Sequence, residues 1–245
     1  MWSDNCCHPT NPVLSFKMLE IVKTADGSNT IFNSEVGEHY HSKHGAAQES
    51  RHVFINAGLS YFLENDSAAT SVSILEVGFG TGLNFFLSAD FCVDKGIMLD
   101  YTGIEAYPLS LEMISQTGYD RYVSPQLWHQ FMISYGSRLL VSYELIPNCK
   151  LQIANCKLLN FQSDKQYDII YFDAFAVAHQ PEMWDEAAIS HTIQFLKPGG
   201  VFVTYAITGN LKRALKALGC KVEKAPGAPG KREMLRAVKL SEPLI

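Results

Sequence analysis

One stretch constrains this chain more than any other: "ILEVGFGTGLNFFL", residues 74–87, where an apolar run breaks into three closely spaced glycines and then resumes with helical spacing. A strand that must pass directly into a helix needs positive φ and room for close backbone approach. Glycine supplies both without strain, so Gly78, Gly80 and Gly82 predict a strand–turn–helix corner. In a parallel sheet that corner lies beyond the carboxyl edge, where free backbone N–H groups and a positive helix end meet ligands.

The rest of the pattern fits such a sheet. "SVSILEV", "MLDYTGIE", "LQIAN", "YDIIYFD" and "VFVTYA" read as strands. They alternate with helical material after "GTG", from Pro108 to about Tyr135, through "MWDEAAISHTIQFL" up to "KPGG", and in "NLKRALKAL". Runs such as "IIYF" are apolar on both faces, as strands covered by helices on both sides must be. "CKVEK" and "EMLRAVKL" add a final pair. The expected fold is α/β, a Rossmann-like, doubly wound, mostly parallel sheet with an antiparallel C-terminal strand.

A small N-terminal extension precedes it. "FKMLEIVKTADGSNTIFN" reads as two short strands around a turn, and "GAAQESRHVFINAGLSYFL" has helical spacing. The expected organisation is 1–15 disordered, 16–66 an extension packing on the core, and 67–245 the α/β domain. At 47% hydrophobic the chain can bury an ordinary core. No apolar run approaches the roughly 18 residues of a membrane helix, and the N-terminus lacks a secretory pattern. A cytoplasmic protein with no membrane partner is expected. Cys6, Cys7, Cys92, Cys149, Cys156 and Cys220 contain no C-x-x-C pair and read as reduced thiols.

The glycine spacing bears on the ligand. Dinucleotide loops read G-x-G-x-x-G; here the order is G-x-G-x-G, shortening the turn where a pyrophosphate would sit. Glu76 repels phosphates and suits a cofactor with a cationic amino-acid tail, which points to S-adenosylmethionine. Glu105, at the end of the second strand, is placed to take both hydroxyls of a ribose, as it would in nicotinamide enzymes as well. Asp173 is delivered by "YDIIYFD" to the same sheet edge, where a catalytic carboxylate and a cap are both open readings.

The net charge of −5 hides an asymmetry: residues 197–245 carry +7 and residues 1–196 carry −12. "NLKRALK" and "GKREMLR" are the densest basic pieces. They read either as a polyanion-facing surface or as a solvated helix face and hairpin.

Four separated segments, in order, resemble the tRNA 5-(aminomethyl)uridine methyltransferases, the methyltransferase half of bifunctional MnmC and its stand-alone form. They are "TADGSNTIFN" with "EHYHSKHGAAQESRHVFI", "EVGFGTGLN", "YFDAFAVAHQPEMW" and "GKREM". The resemblance implies a class I S-adenosylmethionine-dependent methyltransferase that methylates the exocyclic amine of 5-aminomethyl(-2-thio)uridine at the tRNA wobble position. No flavin and no metal are implied, and a separate enzyme must install the aminomethyl group. It further implies that Glu76, Gly78, Phe79, Gly80, Thr81, Gly82 and Asn84 hold the methionine end, and that Glu105 holds the ribose. Asp173 would be the catalytic acceptor; Tyr40, His41 and Glu49 would close over the site. Lys212, Arg213, Lys231 and Arg232 would hold phosphates of the anticodon arm.

Two positions depart from the family pattern. An acid usual near the adenine is replaced in "ANCKLL" by Cys156 and Lys157, so Asn155 or a backbone carbonyl is expected to take over. "DAFAV" carries Val177 where proline is common, and His179 follows as a solvated loop residue. His39, His41, His44 and His52 lack the H-E-x-x-H pattern, so no zinc is expected. Trp184 reads as core. A small-molecule methyltransferase of the same fold and a non-catalytic cofactor-binding tRNA protein are the alternatives.

Overall fold

A computed structural model describes residues 18–136 and 142–241. The expectation for residues 1–15 and for Cys6 and Cys7 lies outside the described residues. A small antiparallel sheet comes first: β1 (Leu19–Lys23), β2 (Asn29–Asn33) and β3 (Glu38–His39). The turn between β1 and β2 is fixed by Asp26, whose carboxylate accepts from Ser28 N at 3.0 Å and from Thr24 Oγ1 at 2.7 Å. A continuous helical segment follows as α1 (Ala46–Ser50), a wider π-type stretch (Arg51–Ser60) and α2 (Tyr61–Asn65).

The main sheet has eight strands. β4 (Ser71–Val77) lies centrally, with β5 (Met98–Ile104) parallel on one side and β8 (Tyr167–Phe172) parallel on the other. Beyond β5 come β7 (Cys149–Ala154), parallel, and β6 (Tyr143–Ile146), antiparallel at the edge. Beyond β8 come β9 (Leu196–Thr204), parallel, then β11 (Glu233–Lys239) and β10 (Cys220–Pro226), both joined antiparallel. Strands added on both sides of β4 create the crevice between β4 and β8 at which ligands of such sheets bind.

Strand alternation sorts the core into two layers. Ile74, Tyr101, Ile169, Tyr171 and Val203 face one way, into a cluster with Phe54, Phe85, Phe86 and Phe131. Leu75, Val77, Ile170, Phe172 and Phe202 face the other, toward Ile189, Leu211 and Leu215. The helical segment 46–65, α3 (Leu83–Asp94), α4 (Leu111–Ser115) and α5 (Pro125–Ser134) accompany the first layer. α6 (Glu186–Ile193) and α7 (Gly209–Ala217) cover the second. Gly58, in the π stretch, brings that segment onto the sheet: a Cβ there would lie 2.9 Å from Val203 and 3.1 Å from Tyr171.

Three local readings needed correction. β6 escaped because its hairpin turns on Asn148, held at φ 64°, a conformation asparagine tolerates without a glycine to announce it. "KPGG" does not stop a helix; β9 already begins at Leu196 and runs through it. The preceding helix starts later than its apolar spacing suggested, because Asp185 caps it by accepting from Ala188 N at 2.8 Å, after a 3₁₀ turn over Pro181–Trp184.

Candidate active site

The crevice holds a cavity of about 1110 Å³. Its floor is the first part of the glycine corner, Gly78 to Thr81; Gly78, Gly80 and Gly82 stand at φ 87°, 51° and 77°. Gly78 has a particular reason to be glycine, since a Cβ there would lie 2.5 Å from the carbonyl oxygen of Asp173. The loops after β4 and β8 therefore touch backbone to backbone. Asp173 N also donates to Val77 O at 2.9 Å. A Cβ on Gly80 would meet the Tyr40 ring at 3.0 Å, so that loop is covered from above by the N-terminal extension.

Asp173 is half-buried, and its Oδ2 accepts from Asn84 Nδ2 at 2.8 Å. The same amide donates to Glu76 Oε1 at 2.8 Å, and Tyr101 OH donates to Glu76 Oε2 at 2.8 Å. Glu76, fully buried, is absent from the cavity lining, as are Asn84 and Gly82. Sequence had them holding the methionine end directly; the geometry sets them behind the loop, where Asn84 ties Glu76 to Asp173. Burial, and then the charge of Asp173, raises the Glu76 carboxyl well above the ordinary range. Burial, then the negative charge of Glu49, pushes Asp173 up to about 8, while Asn84 and Lys231 pull it back.

Glu105 lines the opposite wall. Its Oε2 accepts from Gly80 N at 2.8 Å and its Oε1 from Tyr107 N at 2.9 Å. Burial raises its carboxyl, and those N–H groups oppose the rise. Phe79 packs its ring among Phe85 and Phe131 and offers the cavity its remaining surface; Thr81 lines it beside His41. At the expected adenine end, the Asn155 side-chain oxygen is buried with no partner among the described residues. Exposed Lys157 lines the cavity there with Cys156 and Leu158.

The N-terminal extension forms the remaining wall. Tyr40 meets Phe175 edge-on at 5.1 Å. His41 is buried, with Nε2 2.8 Å from Thr81 Oγ1, and burial pushes its imidazole down to about 4. Glu38 accepts from Ala176 N at 2.8 Å, and Glu49 accepts from Ser42 N at 2.8 Å. The loop after β8 is also held by Tyr205 OH donating to Ala174 O and by Trp184 Nε1 donating to Phe175 O. Neither Glu38 nor Tyr205 stands out in the sequence, because each acts through a contact more than 30 residues away.

The four basic residues separate. Lys231 lines the cavity, its Nζ 2.7 Å from Glu49 Oε1 and 3.9 Å from the centre of the Tyr205 ring. Arg213 and Arg232 are exposed and Lys212 half-buried outside the cavity. The histidines separate too: His52 Nε2 lies 2.7 Å from Pro226 O, His44 packs on Gly230, and His39 lies against Phe32. No group of three or more metal-ligating side chains occurs among the described residues, and no helix there is long and apolar enough to cross a membrane. Cys92, Cys149, Cys156 and Cys220 form no disulfide.

Residues 121–240 match the profile of a family described as S-adenosyl-L-methionine-dependent methyltransferases. The chain is similar to the tRNA 5-methylaminomethyl-2-thiouridine biosynthesis bifunctional protein MnmC of Leptospira borgpetersenii, 31% identical over 80% of this chain and 31% of that protein. Its counterpart in Chromobacterium violaceum is 30% identical over 81% of this chain and 31% of that protein. The chain thus spans about a third of the length of these curated relatives. MnmC2 from Aquifex aeolicus superimposes with a TM-score of 0.71 at 24% identity, covering 92% of this chain and 72% of that one, so the two share a fold.

Proposed function

The chain belongs to the S-adenosyl-L-methionine-dependent methyltransferases of the MnmC kind, and on that premise we propose that it methylates the exocyclic amine of 5-aminomethyl(-2-thio)uridine at the tRNA wobble position. The product would be 5-methylaminomethyl(-2-thio)uridine. One observation carries the reading: Glu38, Glu49 and Asp173 line one cavity with the glycine corner, an acidic wall able to accept N–H hydrogen bonds from a small amine.

The cavity fits the cofactor. It joins the loop at Gly78, where no Cβ fits, to an acid at the end of β5 and to Cys156, Lys157 and Leu158; Asn155, which precedes them in the chain, does not line the cavity, and its buried Oδ1 has no partner among the described residues. Gly78, Phe79, Gly80 and Thr81 would hold the methionine end through their backbone, Glu105 the ribose, and Leu158 the adenine. When bound, S-adenosylmethionine supplies an electrophilic methyl on a positively charged sulfur. Glu105→Ala is expected to raise its Kd by about 10- to 100-fold, the worth of charge-assisted hydrogen bonds, as measured by calorimetric titration.

The chain's own residues would handle the amine. A primary ammonium has no lone pair, so it must lose a proton before reaction. Asp173 is set to accept an N–H hydrogen bond, orient the nitrogen and receive that proton; a cation beside it favours its ionised form. Lys212, Arg213 and Arg232 would contact phosphates of the anticodon arm, and the aminomethyl group would come from a separate enzyme acting in the same cytoplasm. Lys212→Ala with Arg213→Ala is expected to raise KM for tRNA and to reduce the salt slope of binding by about 1–2, with cofactor affinity unchanged.

The decisive experiment is nucleoside mass spectrometry of tRNA bearing 5-aminomethyluridine after incubation with the protein and methyl-labelled cofactor. A single labelled methyl on that nucleoside supports the reading. Cofactor binding without transfer, or transfer only to small amines, overturns it.

A further inference from the structure

Lys231 is out of place as a phosphate contact. Its ammonium is held inside the cavity by Glu49 at 2.7 Å and by the face of Tyr205 at 3.9 Å. The turn that carries it is docked, with Gly230 against His44 and Pro226 O bonded to His52.

Taking the substrate to be an amine, as proposed above, we propose that Lys231 is a positioning residue that makes the acceptor site disfavour the protonated amine, so that more of the substrate is bound with its lone pair free. An alkylammonium resembles lysine, with a pKa of about 10.4. Three carboxylates, Glu38, Glu49 and Asp173, and an open aromatic face would raise that value further and trap the unreactive form. The step at issue is simple: one N–H bond breaks, its electron pair stays on nitrogen, and the proton passes to the Asp173 carboxylate or to water. A cation fixed beside the site favours that loss, because a second positive charge is repelled. Lys231 neutralises Glu49 and covers the Tyr205 face that an ammonium would otherwise take. Its charge also draws the Asp173 carboxyl downward, against burial. The other titratable groups lining the cavity are Glu35, Glu38, His39, Tyr40, His41 and Lys43 from the N-terminal extension, Glu105 and Tyr107 after β5, Cys156 and Lys157 after β7, and His179, Glu182 and Asp185 after β8. Burial keeps Tyr40 and His41 uncharged.

The test compares Lys231→Met, Lys231→Arg and the double variant Glu49→Gln with Lys231→Met on an anticodon stem-loop bearing 5-aminomethyluridine, between about pH 6 and 9.5. Lys231→Met is expected to lower kcat near neutral pH about tenfold and to move the acid limb of kcat up by about one unit, a single pKa unit being tenfold in population. KM should fall, not rise, and kcat should recover at high pH. Stem-loop binding with S-adenosylhomocysteine, which allows no turnover, should tighten at low pH. Lys231→Arg should restore the limb. The double variant, which removes the carboxylate together with its counter-ion, should shift the limb less than the single variant does. A higher KM with a smaller salt slope would make Lys231 a phosphate contact, and an equal loss of kcat at every pH would make it merely structural; either overturns the proposal. An inactive wild type would instead refute the substrate reading.

Discussion

Asp173→Asn is expected to lower kcat by about 10²- to 10⁴-fold, the usual range for losing a general base, while making the free protein more stable. The two effects share a cause. In an unfolded chain the carboxyl titrates near 3.8; in the cavity, burial and then Glu49 push it up to about 8. Ionisation therefore favours unfolding. The penalty is absent below about pH 4, grows as pH rises through the interval between the two values, and levels off above about pH 8. Asparagine carries no such penalty and keeps a side chain of the same shape. Each pKa unit is worth about 1.4 kcal/mol, but a half-buried group retains only part of it, so a gain of about 1–2 kcal/mol, or roughly 3–5 °C in Tm, is expected near pH 8. Thermal melts of both proteins from about pH 5 to 8.5 check it. The advantage of the variant must widen with pH; a constant or inverted gap, or near-normal turnover, would remove Asp173 from its role.

Gly78→Ala is expected to have the second largest effect, abolishing cofactor binding within the accessible range by raising Kd more than about 100-fold, equivalent to roughly 3 kcal/mol. At φ 87° an L side chain is strained by about 1–2 kcal/mol. The added methyl would also meet the Asp173 carbonyl at 2.5 Å, a backbone atom that cannot rotate away. The loops after β4 and β8 would have to part. Gly27 is the natural control, for it has the same φ of 87° with nothing within 4 Å of where a methyl would stand. Gly27→Ala should show the conformational strain alone, in urea denaturation, and leave cofactor titrations unchanged. Equal losses for the two variants would mean that the close approach at Gly78 is unimportant.

The sheet was legible because each of its central strands is a local run of apolar residues and the corner is spelled in glycines. Asp173 and Glu105 were legible for the same reason, standing immediately after strands whose direction fixes where they emerge. Glu76 was read as an acid beside the loop, but its enclosure by other side chains was not legible. Sequence distance says nothing about Asn84 and Tyr101 closing over its carboxyl. Lys231 was read as a phosphate contact, and its pairing with Glu49 was not legible because that partner lies 182 residues away. Glu38 and Tyr205 carried no signal, because their work lies in single hydrogen bonds to the backbone of a distant loop.

The turn between β10 and β11 has a consequence for biosynthesis. The carboxylates lining the cavity all fall within residues 35–185, whereas the lysine that pairs with Glu49 arrives with residue 231, on the outermost hairpin of the sheet. A nascent chain emerging from the ribosome therefore presents Glu49 before its ion-pair partner has been made. The Lys231–Glu49 pair, and the stretch of cavity wall it completes, forms only once the hairpin of β10 and β11 has docked.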